Sequence, residues 1–193
     1  MDATGKFNGL ASVYEAGRPN YADAFINDLF QKYGVSSNSI IADIGSGTGK
    51  FSEQLLKRGI CVYCVEPNED MRRQSMVVLR KYANCSILAG KAADTALSDS
   101  SVDFITAAQS FHWFDTKQFK KECQRIIKIR GKVFLIWNIV QSSDIIQKNY
   151  EINWKYCPDS RKDISYRIKR DDIRIREFFD YSYERLEYDH PWC

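Results

Sequence analysis

Long hydrophobic runs are absent from the sequence, and no apolar stretch approaches the ~18 residues that a helix needs to span a bilayer. The first residues, MDATGKFNG, also lack the basic region and apolar segment of a secretory signal. These absences argue against a membrane-spanning or secreted protein. We therefore expect a cytoplasmic protein without a membrane partner.

An excess of one charge sign is also absent, since 28 lysines and arginines face 25 aspartates and glutamates, for a net charge of +3. Residues 160–176 are densely charged, but the two signs are mixed there, which is typical of a solvated face. We therefore expect no nucleic-acid partner. Apolar residues make up 44% of the chain, enough for a sizeable core, and no repeat or Pro/Gly/Ser-rich linker divides it. The sequence predicts one domain over residues 1–193.

The six cysteines do not indicate a disulfide framework, because nothing else in the sequence points to secretion. Cys61 and Cys64 form a C-x-x-C motif, but they lie in the apolar run CVYCVE, where strand geometry sends positions three apart to opposite faces. A single zinc ion would not easily bind both thiols. We expect reduced cysteines and no metal site.

Short apolar runs alternate with amphipathic runs from residue 40 onward. Five runs have the length and the low interior charge of strands buried on both faces: 40–44, 61–66, 85–89, 102–107 and 133–140. Three intervening runs have helical spacing: 49–58, 68–82 and 116–128, whereas 92–101 is less clearly helical. This alternation predicts parallel strands joined by right-handed crossovers, and hence a doubly wound, Rossmann-like α/β sheet. The cofactor-binding core would span residues 40–140.

The two ends of the chain differ from this core. Residues 2–33 read as a helical N-terminal extension, with an apolar stripe at Phe25, Ile26, Leu29 and Phe30. Beyond residue 140, the pattern predicts a helix over 145–156 and a strand over 178–188. Residues 141–193 would thus form a partial cap and a C-terminal strand.

A glycine-rich loop, Asp43-Ile44-Gly45-Ser46-Gly47-Thr48-Gly49, follows the first predicted strand. Ligands of open α/β sheets bind outside the carboxyl ends of the strands, so this loop is the first candidate site. A P-loop is excluded because Ile44 replaces its first glycine and Phe51 its magnesium-binding hydroxyl. The glycine spacing also differs from the G-x-G-x-x-G of dinucleotide sites, although that difference is a weak discriminator. The carboxylate of Asp43 favours a cationic ligand, which indicates S-adenosylmethionine.

Glu66 ends the second predicted strand, about 20 residues after Gly45, where dinucleotide sites place an acid that binds a ribose diol. A carboxylate at this position can accept two hydrogen bonds from ribose hydroxyls. A solvated carboxylate before the following helix is the alternative. We expect Glu66 to contact the cofactor.

Four segments together resemble one family. They are Tyr14 with Arg18-Pro19-x-Tyr21, DIGSGTG at residues 43–49, VEPNEDM at 65–71 and AQSFHWFD at 108–115. With them, residues 7–140 resemble class I S-adenosylmethionine-dependent methyltransferases, and specifically the type 11 group that includes trans-aconitate methyltransferase-like proteins. The resemblance implies a methyltransferase that uses S-adenosylmethionine and releases S-adenosylhomocysteine.

The resemblance also implies roles for single residues. Asp43, Gly45, Ser46 and Gly47 would line the methionine portion of the cofactor, Glu66 would bind the ribose, and Met71 or Pro67 would flank the adenine. The family usually reads G-x-A-E after the third strand, but Ala93 occupies the glutamate position here. Adenine recognition would therefore fall to Asp94 or to backbone amides.

Three further residues are implicated near the reacting groups. Gln109 would lie beside the sulfonium, and Tyr14 and Arg18 would belong to an N-terminal helical lid over residues 1–33. His112 follows the fourth strand, where it could accept a proton from an oxygen or nitrogen nucleophile. The flanking Phe111, Trp113 and Phe114 instead favour a packed aromatic turn.

Methyl transfer to a small-molecule acceptor is the function that these residues predict. The alternatives are a protein that binds S-adenosylmethionine without turnover, and a nicotinamide-dependent oxidoreductase. In the resembled fold a seventh, antiparallel strand ends near the C terminus, but only residues 189–193 remain here after the predicted strand 178–188. We therefore expect this strand to be missing, which leaves an unpaired fifth strand that could form a homodimer.

Overall fold

A computed structural model describes residues 19–139 and 172–189 of the chain. The elements in chain order are α1 (Asp23–Gln31), β1 (Ile40–Ile44), α2 (Lys50–Leu56), β2 (Cys61–Val65), α3 (Glu69–Leu79), β3 (Cys85–Leu88), β4 (Val102–Ala108), a 3-10 turn (Phe111–Trp113), α4 (Thr116–Ile126), β5 (Ile127–Ile136) and α5 (Ile173–Phe178). The chain forms two compact units, one of residues 1–136 with 184–193 and the other of residues 137–183. No helix within the described residues is long and apolar enough to cross a membrane.

The five strands form one parallel sheet in the order β3-β2-β1-β4-β5. Its central strands carry apolar side chains with almost no exposed surface, such as Ile41 on β1, Val62 on β2 and Ile105 on β4. Strands covered on both faces are expected to read this way, and the prediction of a Rossmann-like α/β sheet is confirmed.

Helices α3 and α4 begin where the sequence supplies a side-chain cap. The Asn68 side chain accepts a hydrogen bond from the backbone of Met71 at the start of α3, and Asp115 accepts bonds from Lys117 and Gln118 at the start of α4. In α1 the predicted apolar stripe is buried, with Leu29 fully inaccessible. The periodicity of the sequence therefore located the buried face of this helix.

The connection between β3 and β4 contains no helix. Lys91 and Asp94 exchange backbone hydrogen bonds of 2.8 and 3.0 Å, which folds the chain into a tight turn directly after β3. The segment that follows is held by Glu122 of α4, whose Oε1 accepts from the Thr95 backbone N–H at 2.8 Å. Arg125 pairs with the same carboxylate. Hydrogen bonds and an ion pair at Glu122 thus hold this connection, where a crossover helix would otherwise pack.

The fifth strand begins earlier than the sequence pattern predicts. We expected a helix to residue 128 and a strand from 133, but α4 ends at Ile126 and β5 starts at Ile127. Ile127 pairs with Val102 and Lys132 with Phe104, so residues 128–131 bulge out of the sheet. Residues in a bulge do not alternate between the two faces of the sheet. The sequence of this segment therefore lacks the pattern of a strand and resembles the end of a helix instead.

The predicted strand over residues 178–188 is wrong. Residues 173–178 form α5, which is capped by Asp172, and the chain then turns at residues 179–181 and continues without regular structure to residue 189. Tyr188 packs against Phe25 of α1, with 5.7 Å between the ring centroids, and its hydroxyl donates to Asp28 at 2.6 Å. Tyr188 therefore serves side-chain packing rather than strand pairing. The predicted helix 145–156 lies outside the described residues.

Candidate functional site

The candidate site lies at the carboxyl ends of β1 and β4, where the strand order changes direction. The chain runs outward from β1 to β2 and β3, and then returns to place β4 on the other side of β1. Crossovers on the two sides of this point leave a crevice in which ligands of open α/β sheets bind. The glycine loop, defined as residues 45–49, borders this crevice.

Gly45 and Gly47 of the glycine loop serve different purposes. Gly45 has a φ of +68°, and a Cβ added to it would lie 2.6 Å from the Cβ of Ser110, so the two loops approach too closely for a side chain. Gly47 has a φ of +59°, and its Cβ position has no atom within 4 Å. Gly45 therefore permits loop packing, whereas Gly47 leaves open space above the loop.

Glu66 joins the glycine loop to the start of α3. Its Oε2 accepts from the Gly47 N–H and its Oε1 from the Asn68 N–H, both at 2.9 Å, and the residue is 7% exposed. Burial raises the pKa of this carboxyl, while the two backbone donors and the nearby Arg72 guanidinium oppose that rise. A carboxylate has about four acceptor positions, so two remain for a ligand such as a ribose diol.

Asp43 lies beneath the loop, and its side chain has no exposed surface. Its carboxylate accepts hydrogen bonds from Ser52 of α2 at 2.6 Å and Thr106 of β4 at 2.9 Å. Burial raises the pKa of Asp43 to about 6 despite these two donors. The two oxygens thus bond α2 and β4, and a contact of the Asp43 side chain with the cofactor stays a prediction.

The turn after β4 is fixed to the glycine loop and to β5. The Ser110 hydroxyl donates to the Ile44 carbonyl at 2.7 Å, and the Gln109 N–H donates to the Ile136 carbonyl at 2.8 Å. Gln109 has a φ of +56°, which is uncommon for a residue with a side chain and is often found at functional sites. The two bonds hold Gln109 in this conformation at the mouth of the crevice.

His112 lies in the 3-10 turn and is half-buried. Its ring lies 4.8 Å from that of Trp113, between centroids. On the same turn, Phe114 packs edge-on against Phe119 of α4 at 4.8 Å, and Phe111 is fully buried. The expected packed aromatic turn is present, and a role of His112 in proton transfer stays a prediction.

The other predicted site residues occupy different surroundings. Met71 is 2% exposed within α3, and Pro67 is half-buried at the corner before it. Ala93 and Asp94 are exposed on the tight turn after β3. Their contacts with a cofactor stay predictions, and Tyr14 and Arg18 lie outside the described residues.

The open space above the loop is compatible with S-adenosylmethionine. Among the described residues, Ser46 has a buried hydroxyl without a hydrogen-bond partner, and it sits between Gly45 and Gly47. Together with the free acceptor positions of Glu66, this hydroxyl offers polar partners to a bound nucleoside. The residues present therefore fit the cofactor, with Asp43 acting from below.

Sequence reasoning missed three features near the site. Ser110 pins the turn after β4, and Arg72 bonds two carbonyls next to Glu66. The Sγ atoms of Cys64 and Cys85 lie 3.8 Å apart across β2 and β3, although all four described cysteines are free. The Ser110 and cysteine contacts depend on the strand order, whereas the Arg72 contacts depend on how the chain turns between β2 and α3.

Comparison with known families identifies the core of the chain. Residues 42–135 match the family model described as a methyltransferase domain of type 11. A methyltransferase-like protein of Schizosaccharomyces pombe is 32% identical over 160 residues, which cover 80% of this chain and 60% of that protein. A methyltransferase of Mycobacterium tuberculosis is 33% identical over 138 residues, covering 71% and 54% respectively. The chain thus spans between half and two thirds of the length of these curated relatives.

Solved structures support the same fold. A putative methyltransferase from an antibiotic biosynthesis pathway of Anabaena variabilis matches with a TM-score of 0.63 and 28% identity, over 84% of this chain and 62% of that one. A putative S-adenosyl-L-methionine-dependent methyltransferase of Methanococcus maripaludis matches with a TM-score of 0.63 and 19% identity, over 81% and 73%. Residues 42–135 thus resemble the type 11 methyltransferase domain, and the sheet has the fold of solved S-adenosylmethionine-dependent methyltransferases.

Proposed function

We propose that this protein transfers the methyl group of S-adenosylmethionine to a small-molecule acceptor. The observation that carries the proposal is the pairing of open space above Gly47 with the buried Glu66 carboxylate that bonds the same loop. A ligand in this space would meet a ribose acceptor on one side and the Ser46 hydroxyl on the other.

The residues of the crevice have separate tasks in this proposal. Glu66 binds the ribose hydroxyls through its remaining acceptor positions, and Gly47 admits the ligand against the backbone. The bound cofactor supplies an electrophilic methyl group on a sulfonium. Asp43 adds a buried negative charge below the loop once it is ionised, which favours a cationic ligand over a pyrophosphate.

The turn after β4 would position the acceptor. In-line methyl transfer needs the nucleophile about 3 Å from the methyl carbon, and positioning of this kind is the main contribution that the protein makes. Gln109 is held at the mouth of the crevice by the bond from its backbone to Ile136. We assign Gln109 to the sulfonium side of the site, with a base at His112 needed only for an acceptor that must lose a proton.

The proposal goes further on two points. The acceptor is a small molecule, and the protein belongs to the trans-aconitate methyltransferase-like subgroup. The Anabaena variabilis relative is described as belonging to an antibiotic biosynthesis pathway, which supports an acceptor of metabolite size. The segments VEPNEDM and AQSFHWFD support the subgroup. The four cysteines within the described part of the chain are free, which suits a reducing compartment such as the cytoplasm.

Titration calorimetry with S-adenosylhomocysteine and with NADH tests the cofactor. Binding of the former alone supports the proposal, and binding of NADH alone would replace it with an oxidoreductase. Release of S-adenosylhomocysteine during incubation with S-adenosylmethionine and a panel of carboxylates, phenols and amines then tests turnover. The panel includes trans-aconitate for the subgroup. Cofactor binding without release for any acceptor would favour the binding-only alternative.

Homodimer formation through β5 is the remaining proposal. Among the described strands, β5 pairs with β4 alone, and Ile129 in its bulge is 95% exposed. A strand with an unpaired edge can pair with the same strand of a second copy. Sedimentation of the full chain tests this arrangement, and a monomer at high concentration would contradict it.

A further inference from the structure

We infer that Arg72 is a positioning residue for the Glu66 carboxylate, because its guanidinium fixes the corner between β2 and α3 from which Glu66 faces the glycine loop. This inference rests on the proposed function, in which Glu66 binds the ribose. The described hydrogen bonds of Arg72 reach Glu66, Pro67 and Asn68 rather than the glycine loop.

The contacts of Arg72 are directed at the backbone of this corner. Its Nη1 atom donates to the carbonyl of Glu66 at 2.9 Å and to the carbonyl of Pro67 at 2.7 Å. The backbone N–H of Arg72 donates to the Asn68 carbonyl at 3.1 Å, within the first turn of α3. One side chain thus joins the end of β2 to the start of the helix.

The corner matters because Glu66 is held from both sides. Its carboxylate receives the Gly47 N–H from the loop and the Asn68 N–H from the helix start. A shift of the Glu66 or Pro67 carbonyl would move the Asn68 N–H and the carboxylate relative to each other. Arg72 resists this shift by bonding both carbonyls at once.

Arginine suits this task better than lysine. A guanidinium holds its N–H donors in a rigid plane, so one Nη group can bond two adjacent carbonyls without losing much side-chain freedom. The positive charge of Arg72 also lowers the pKa of Glu66 against the upward effect of burial. Geometry and charge therefore act in the same direction, toward an ionised and oriented carboxylate.

The neighbouring Arg73 provides a matched control. Its guanidinium pairs with Glu69 and Asp70 of the same helix, and its side chain is 69% exposed. It has the same size and charge as Arg72 and lies one residue away, but on the solvent side of α3. Substitution of Arg73 therefore measures the general effect of losing an arginine from this helix.

The test is calorimetry of S-adenosylhomocysteine binding to the full chain between about pH 5.5 and 8.5, with Arg72→Met, Arg72→Lys and Arg73→Met. We expect Arg72→Met to weaken binding about tenfold at pH 7.5, as loss of charge-assisted bonds implies. The loss should grow as pH falls, because removal of the cation raises the pKa of Glu66 and more of it becomes protonated. Arg73→Met should follow the wild type at every pH.

The charge of Glu66 raises the pKa of Asp43, so Asp43 contributes a pH dependence of its own. That contribution is common to all variants, so the difference between Arg72→Met and Arg73→Met isolates the effect of Arg72. Arg72→Lys keeps the charge and should weaken binding less than Arg72→Met, without the additional loss at low pH. This variant also provides the comparison if Arg72→Met does not fold.

Three results would overturn the inference. Wild-type affinity in Arg72→Met is the first, and an affinity loss that is the same at all pH values is the second, since it would indicate general destabilisation. Equal losses in Arg72→Met and Arg73→Met are the third. If the wild-type protein binds no S-adenosylhomocysteine at any pH, the proposed function fails and this inference fails with it. The first three results leave the proposed function intact.

Discussion

Glu66 serves the fold and the proposed ligand with one carboxylate, so its substitution has two separable effects. We expect Glu66→Ala to weaken S-adenosylhomocysteine binding by at least ~1.5 kcal/mol, because bonds to a charged acceptor are lost from a largely buried site. The protein should also be less stable, since the Gly47 and Asn68 N–H groups lose their acceptor. Calorimetry and thermal unfolding measure the two effects.

Glu69→Ala is the control for this prediction, because Glu69 lies three residues further on an exposed surface and pairs only with solvent-side groups in the described contacts. It should leave affinity unchanged. Unchanged affinity in Glu66→Ala would remove the ribose assignment.

Substitution of His112 distinguishes a packing role from a role in proton transfer. Its ring packs beside Trp113 in a turn fixed by buried aromatics, so we expect His112→Asn to lower the melting temperature more clearly than it lowers turnover. A general base would instead contribute roughly 10²-fold or more to the rate. The measurement is turnover with an identified acceptor, together with thermal unfolding. A rate loss of that size at an unchanged melting temperature would show that His112 transfers a proton.

At the scale of elements, two glycine variants separate the effect of backbone strain on folding from the effect of a side chain on cofactor binding. Gly47→Val should abolish cofactor binding, because the side chain enters the open space above the loop. Gly34→Val is matched to it: Gly34 also has a positive φ, +77°, and no atom within 4 Å of its Cβ position, but it lies between α1 and β1. Both variants carry similar backbone strain.

Calorimetry with S-adenosylhomocysteine compares the two variants. Gly34→Val should bind normally despite its strain. If Gly47→Val folds and still binds, the loop has been misinterpreted.

The elements that the sequence predicted correctly are those with strong local signals. Strands β1 to β4 follow from continuous apolar runs, and the start of α3 coincides with the capping residue Asn68. The failures lie where long-range contacts decide. The bulge at residues 128–131 depends on pairing with β4, and residues 178–188 avoid strand structure although their aromatics alternate.

The candidate site shows the same division. The glycine loop and Glu66 were recognisable because their spacing along the chain reflects the strand and helix between them. The inward position of Asp43 was not, since its partners Ser52 and Thr106 come from α2 and β4. The sequence places this carboxylate beside the glycine loop but does not reveal the two hydroxyls that bond it.

At the scale of the whole molecule, Asp43 links the stability of the sheet to pH. Its pKa is raised from 3.8 to about 6, so the folded state binds a proton more tightly than the unfolded chain. Protonation of Asp43 thus adds up to about 3 kcal/mol to the free energy of unfolding. This contribution is fully present below pH ~4, is lost as pH rises to about 6 and stays lost above it.

Asp43→Asn should remove this dependence, because an amide does not ionise. We expect the variant to be at least as stable as the wild type at pH 7.5, while the wild type gains relative to it at pH 4.5. Urea unfolding at the two pH values measures the difference. Parallel stability curves for the two proteins would contradict the buried, titrating carboxyl.

The neighbours of Asp43 also bear on how the chain finds its strand order. Asp43 pairs in register with Cys64 on one side and Thr106 on the other. Successive side chains of a strand point to opposite faces, so a slip of β1 by one residue would turn the carboxyl away from both hydroxyl donors. Misaligned sheets would then bury an unsatisfied acid, whereas shifted apolar neighbours would cost far less. The buried acid thereby penalises misfolded alignments in a sheet whose five parallel strands must assemble without hairpins to guide them.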